Sequence, residues 1–191
     1  MAPRIGDRHL AALKSLAAAF EQQGIDAALI GGVAVSLLAE PRFTRDLDAI
    51  IIYDPDDIAR LIATLAQFEL YPLFDGAEVF AQESRVIPLR HAPTEIVVDV
   101  QIGCMPFESE VIERAMPSGD PGVPLRLATP EDLVILKAIA SRPKDLEDIR
   151  NIARTYLSMD RGRIEYWVRQ YGELLETPEL WEQTLALLDA R

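Results

Sequence analysis

The chain of 191 residues has a single cysteine, two histidines and no apolar run near the roughly 20 residues that span a bilayer. One cysteine, Cys104, excludes an intrachain disulfide and favours a reducing compartment. It follows an apolar strand and has no neighbour that would lower its pKa, so a buried or partly buried, inert thiol is expected. His9 and His91 lie far apart and lack the spacing of metal ligands. Basic residues are scarce: 19 Lys plus Arg stand against 31 Asp plus Glu, a formal charge of -12. Such a surface does not attract nucleic acid indiscriminately, because duplex affinity comes mainly from phosphate neutralisation. A local basic groove stays open, from Arg42 with Arg45 or from Arg85 with Arg90 and His91. The opening stretch MAPRIGDRHLAALKSLAAAF is broken by Lys14 and Ser15 and has no cleavage pattern. A cytoplasmic protein without membrane attachment is expected. Internal repeats and low-complexity segments are absent.

What remains is an ordinary globular composition, 49% hydrophobic and 26% charged, sufficient for a sizeable core. Leu10, Leu13, Leu16, Ala17 and Phe20 recur at helical spacing, predicting a helix from about Asp7 to Gln23 that ends at Gly24. Ile25 to Ile30 reads as a short buried strand, and Val33 to Ala39 as a helix stopped by Pro41. DLDAIII from Asp46 and TEIVVDVQI from Thr94 are the strongest strands. Asp54-Pro55 opens a helix to about Phe68, and one or two weaker strands lie between Glu69 and His91, with a turn near Asp75-Gly76. Helix starts follow at Thr129-Pro130, near Lys144, at Asp160 and at Thr177-Pro178. The fold class expected is therefore α/β (α+β): a mixed sheet flanked by helices over 1–120, then a mainly helical region over 121–191 packed on it.

Three features converge on chemistry. Gly31-Gly32 lies between strand and helix, where glycine allows close backbone approach and the helix offers free N–H groups to a phosphate; a plain tight turn is the alternative. Asp46 and Asp48, one residue apart on a strand, present both carboxylates on one face, a repulsion that a divalent cation relieves. An edge strand facing water, or salt bridges to Arg42 and Arg45, would also account for them. Asp99 interrupts the apolar run Ile96, Val97, Val98, Val100, where an acid is costly to bury unpartnered. It completes a three-carboxylate cluster if its strand lies beside that of Asp46; otherwise it faces water.

The string LIGGVAVSLLAEPRFTRDLDAII, with Asp99 in IVVDVQIG, resembles the signature of the DNA polymerase β-type nucleotidyltransferases: strand, Gly-Gly, helix, Asp-x-Asp, then a third acid on a later strand. RLATPEDLVILKAIASRPKDLEDI is similar to the corresponding part of AbiEii-like toxin nucleotidyltransferases, with Lys137 preceding Arg142, Lys144, Asp145 and Asp148. The likeness covers about Leu29 to Ile152. Val33 stands after the glycines where many active members have serine.

The resemblance implies a nucleotidyltransferase-like sheet and transfer of a nucleoside monophosphate from a triphosphate such as ATP to an acceptor hydroxyl. It implies Asp46, Asp48 and Asp99 as ligands of two Mg²⁺ ions, with Mn²⁺ as a substitute, and Asp99 as acceptor of the hydroxyl proton. Gly31, Gly32, Arg42, Thr44 and Arg45 would contact the phosphates. Lys137 would reach the triphosphate, with Asp145 and Asp148 orienting Lys137 or Arg142; a solvated lysine and helix-dipole acids are the plainer readings. The resemblance does not fix the acceptor; RNA or a protein hydroxyl is the acceptor expected of a toxin of this kind, and a cognate antitoxin would be its partner. A non-catalytic nucleotide- or partner-binding module, favoured by Val33, and a small-molecule (antibiotic) nucleotidyltransferase, favoured by the acidic charge, are the alternatives.

Overall fold

The computed structural model describes residues 5–190. The first helix, α1 (Asp7–Gln23), buries Ala12, Leu13, Leu16, Ala19 and Phe20 along one stripe. Gly24, at φ 62°, ends it, and its N–H reaches back to the Phe20 and Glu21 carbonyls. There follow β1 (Ala27–Ile30), α2 (Gly31–Leu38) and β2 (Asp46–Ile52). Asp54 accepts from the Asp56 N–H and opens a 3-10 turn (Pro55–Asp57) that runs into α3 (Ile58–Ala66). Next come β3 (Leu70–Pro72), α4 (Ala77–Ser84), β4 (Val86–His91), β5 (Ile96–Gly103) and α5 (Pro106–Arg114).

Two of these elements differ from the sequence expectation. The stretch between β3 and β4 forms a helix, α4, where only weak strands and a turn are predicted. It buries Ala77 and Ala81 while Val79 and Phe80 stay exposed, so no apolar stripe announces it. Cys104 is exposed rather than buried. The chain leaves the sheet at Gly103, and the Glu108 carboxylate caps the next helix by accepting from the Cys104 N–H at 3.2 Å and the Met105 N–H at 2.6 Å. That turn holds the Cys104 backbone at the surface.

The six-stranded sheet has the order β3-β4-β5-β2-β1-β6, where β6 is Arg126–Leu127. The β2/β5 and β1/β6 pairs are parallel; the others are antiparallel. Strand residues alternate and partners in register share a face. Leu47, Ala49 and Ile51, opposite Val98, Val100 and Ile102, form the fully apolar face, each at most 1% exposed. His91, in register with Ile96, belongs to this face and bonds Ser15 of α1 through Nε2 at 3.1 Å, so α1 covers it. The opposite face carries Asp46, Asp48 and Asp99.

After β6, α6 (Pro130–Ala140), α7 (Pro143–Thr155), α8 (Arg161–Leu174) and α9 (Leu180–Asp189) pack together, with α6 and α7 also against α2. Thr129 caps α6 by accepting the Asp132 N–H, and Pro130 and Pro143 occupy first turns where no N–H is needed. The hydrophobic core is continuous from Leu13 through Leu47 to Leu133, Ile149, Ile164 and Leu188. The region after 121 thus supplies both an edge strand and a helical wall to the core. A part-buried ionic knot secures that wall: Arg163 pairs with the buried Asp132 at 2.8 Å and with the partly exposed Glu110, joining α8, α6 and α5. No helix among the described residues is long and apolar enough to cross a membrane.

Candidate active site

The site begins where β1 ends. Gly31 has φ 69°, and a Cβ there would lie 1.9 Å from Asp48 Oδ2. Only glycine allows the backbone to turn over that carboxylate. A Cβ on Gly32 would meet Thr44 Oγ1 at 2.8 Å and Arg42 Nη2 at 2.9 Å. The turn is therefore packed on one side by Asp48 and on the other by the loop that precedes β2.

The parallel register sets Asp48 opposite Asp99 and Asp46 opposite Val97, so all three carboxylates share one face, on two adjacent strands. Their electrostatics agree with that placement. Burial, together with the negative charges of Asp46 and Asp99, pushes Asp48 up to about 6, against the pull of Lys137 and the Gly32 N–H. Asp99 is raised as well, by burial and by Asp46. Burial works in the same direction on Asp46, but its bonds from the Thr44 hydroxyl (3.0 Å) and nearby backbone N–H groups, with the charge of Lys144, bring it below the ordinary value. Among the described residues, no three His, Cys, Asp or Glu side chains stand gathered closely enough to hold a metal ion. The donor set nonetheless suits a hard divalent cation: three carboxylates on one face, two of them, Asp48 and Asp99, with pKa raised by burial and by their negative neighbours.

The cationic side of the site comes from far along the chain. Lys137, only 5% exposed, pairs with Asp145 at 2.8 Å and with Asp148 at 2.9 Å, both acids fully buried. Arg42 grips Asp148 with two bonds, from Nε at 2.6 Å and Nη2 at 2.7 Å. Arg142 closes the network on Asp145 at 2.5 Å. Asp148 raises the Arg42 pKa by hydrogen bonding, and the bonds to Asp145 from Arg142 and Lys137 outweigh its burial and lower its pKa. Three cations and two acids thus tie α6, α7 and the loop before β2 into one unit beneath the Gly31-Gly32 turn.

This arrangement separates residues that the sequence groups together. Arg42 and Lys137 are engaged by buried acids, and Asp145 and Asp148 hold cations. Arg45 is exposed, and its side chain makes no hydrogen bond or ion pair among the described residues, although its backbone N–H bonds Asp46. Lys144, exposed, acts electrostatically on Asp46 and has no assigned role in the sequence reading, although it sits inside the Arg-x-Lys-Asp string. His9 also escapes notice. It lines a cavity with Thr44, and the charge of Asp46 reaches it. Its only sequence signal is a histidine in the first turn of α1.

Sheet order, glycine turn and paired acids together define a nucleotidyltransferase fold. The chain is similar over 90% of its length, and over 95% of the other's, to the solution structure of the antibiotic-resistance factor ANT(2'')-Ia, at 14% identity and TM-score 0.60. It is similar over 95% of its length to a crystal structure of an antigenic nucleotidyltransferase-like protein from Paracoccidioides brasiliensis, 94% of which is covered, at 18% identity and TM-score 0.53. Identities this low establish the fold alone. No curated protein sequence matches the chain. Residues 8–172 match the family described as nucleotidyltransferase of unknown function (DUF6036), and the chain belongs to that family.

Proposed function

We propose that the chain transfers a nucleoside monophosphate from a nucleoside triphosphate to an acceptor hydroxyl, in a reaction that requires a divalent metal. The observation that carries this reading is the register of Asp48 against Asp99, with Asp46 on the same face and the Gly31 backbone turned over Asp48. Asp46, Asp48 and Asp99 would hold Mg²⁺, two ions when the triphosphate is bound, with Mn²⁺ as a substitute. Such ions screen the phosphate charge and stabilise the attacking and leaving oxygens of an in-line displacement.

The residues themselves divide the remaining work. The backbone N–H groups at the start of α2 receive phosphate oxygens, as helix N-termini do. Asp99, whose pKa is raised, accepts the proton of the acceptor hydroxyl. The acceptor oxygen bonds to the α-phosphorus as the bond to the bridging oxygen breaks, and pyrophosphate leaves. Lys137 acts from its paired position as a fixed positive charge near Asp48. Arg45 and Lys144, exposed beside the carboxylates, take direct phosphate contacts, while Arg42 holds the loop to Asp148 and Thr44 orients Asp46. The acceptor is an RNA end or a protein hydroxyl, which would suit the toxin of a toxin–antitoxin pair. A small cationic acceptor is the second reading, favoured by the net charge of -12, which draws cations and repels polyanions.

The test is incubation with each α-labelled nucleoside triphosphate and Mg²⁺, offered total RNA, cell protein or a panel of aminoglycosides. Label transfer that vanishes in Asp48→Asn and Asp99→Asn supports the reading and identifies the acceptor. A chain that binds no triphosphate in Mg²⁺, by calorimetry, would end it.

A further inference from the structure

Beside the carboxylates lies a cavity of about 200 Å³, walled by Ile5 and His9 at the start of α1, Ser36 of α2, and Phe43 and Thr44 of the loop before β2. It is smaller than the 300–1,000 Å³ of pockets that enclose a whole small ligand, so it suits one ring system of a larger molecule. Thr44 joins it to the transfer site: its hydroxyl is 3.0 Å from Asp46 Oδ1 and lies against Gly32.

Two observations in this cavity lack an explanation in packing. Phe43 is 81% exposed, more than any other large hydrophobic residue among those described, although it stands between two engaged neighbours. Exposed aromatic faces offer stacking to bases. His9 Nε2 is closed off from solvent and has no hydrogen-bond partner, a costly state for a ring nitrogen. Burial and the nearby Arg8 charge lower the His9 pKa against the pull of Asp46, which favours the neutral ring with one nitrogen a donor and the other an acceptor. Its χ2 torsion is soft, so rotation of the ring is available to aim a nitrogen at a ligand edge. The walls do not suit a phosphate. The one guanidinium at the cavity, Arg42, is held by Asp148, and Asp46 lies close by.

The geometry points to this cavity as the nucleobase pocket of the transfer site: Phe43 stacks on the base of the nucleoside triphosphate and His9 hydrogen-bonds its polar edge, setting the base preference. This rests on the nucleotidyl-transfer reading, and it assigns the choice of nucleotide to the start of α1 and the loop before β2.

The experiment is calorimetric titration of the full chain in Mg²⁺ with each of the four nucleoside triphosphates and with inorganic tripolyphosphate, a probe that lacks a base. Phe43→Ala is expected to weaken the preferred triphosphate about 5- to 150-fold and to leave tripolyphosphate unchanged, with Phe43→Trp restoring affinity. His9→Phe is expected to compress the differences among the four triphosphates. Triphosphate binding that is unaltered in both variants, or an equal loss of tripolyphosphate binding in Phe43→Ala, overturns the pocket and leaves the transfer reading standing. Failure of the unaltered chain to bind either class of probe overturns both. Because Phe43 is exposed, a folding defect in Phe43→Ala is not expected, and circular dichroism checks it.

Discussion

Replacing Gly31 by alanine perturbs the site at its tightest point, and Gly24 supplies the matched control. Both glycines have left-handed backbone, φ 69° and φ 62°, but a Cβ meets nothing within 4 Å at Gly24 and lies 1.9 Å from Asp48 Oδ2 at Gly31. The left-handed conformation costs alanine about 1–2 kcal/mol, and the lost freedom of the unfolded chain returns about 0.4–1 kcal/mol. Gly24→Ala should therefore destabilise by about 1 kcal/mol. Gly31→Ala adds an overlap that forces a half-buried carboxylate to move, about 1–3 kcal/mol more by analogy with overpacking. The total is about 2–4 kcal/mol, or roughly a 4–16 °C fall in Tm for a chain of this size. Thermal unfolding measures the stability, and Mg²⁺-dependent triphosphate binding measures the site. Gly24→Ala should bind as the unaltered chain does, whereas Gly31→Ala should bind weakly or not at all. If the two variants unfold at the same temperature and bind equally, the close approach of Gly31 to Asp48 carries no functional weight.

Four further predictions concern charge. Asp48 has its pKa raised from 3.8 to about 6, so the folded state binds this proton more tightly than the unfolded one. Its contribution to stability is favourable below about pH 4 and is lost as pH rises to about 6; Asp48→Asn should raise Tm at pH 7 and flatten that slope, and an unchanged Tm would contradict the crowding of the carboxylates. A Mg²⁺ ion held by Asp48, as proposed, would compete with that proton, so apparent Mg²⁺ affinity should fall as pH drops below about 6, which calorimetry at about pH 5.5 and 7.5 would test. Asp148→Ala leaves Lys137 with Asp145 alone and frees Arg42, so it should cost about 1.5–3 kcal/mol in urea unfolding; a cost under about 0.5 kcal/mol would mean the ionic network is incidental. Arg45→Ala and Lys144→Ala should leave Tm within about 1 °C, since surface changes alter stability little. Each should weaken triphosphate binding by about tenfold, the value of one hydrogen bond to a charged group, and unaltered affinity in both would remove them from the phosphate site.

The basic residues show how local reading misleads here. Arg42 stands four residues before Asp46 and invites pairing with it, yet its partner is Asp148, 106 residues away. Lys137 looks like one charge on an amphipathic helix, but α7 folds two buried acids around it. Nothing near Phe43 or His9 in sequence tells that the start of α1 and the loop before β2 meet across a cavity. α4 escaped for a different reason: its large apolar residues, Val79 and Phe80, are exposed and only two alanines are buried, and periodicity reports only helices that bury a stripe.

Short-range physics in the chain itself determined the two strong strands, the alternation that puts Asp46 and Asp48 on one face, the glycine turn before α2, and the caps that open α6 and α7. Each depends on residues within about one turn or one pleat of each other. Tertiary structure alone decided which strand Asp99 lies beside, that Asp48 rather than Asp46 is its partner, that Gly31 covers that carboxylate, and which acids Arg42 and Lys137 serve. Strand register and ion pairing between distant segments depend on how whole faces of the sheet and helices pack, because a shift of one residue in register would turn every side chain to the other face.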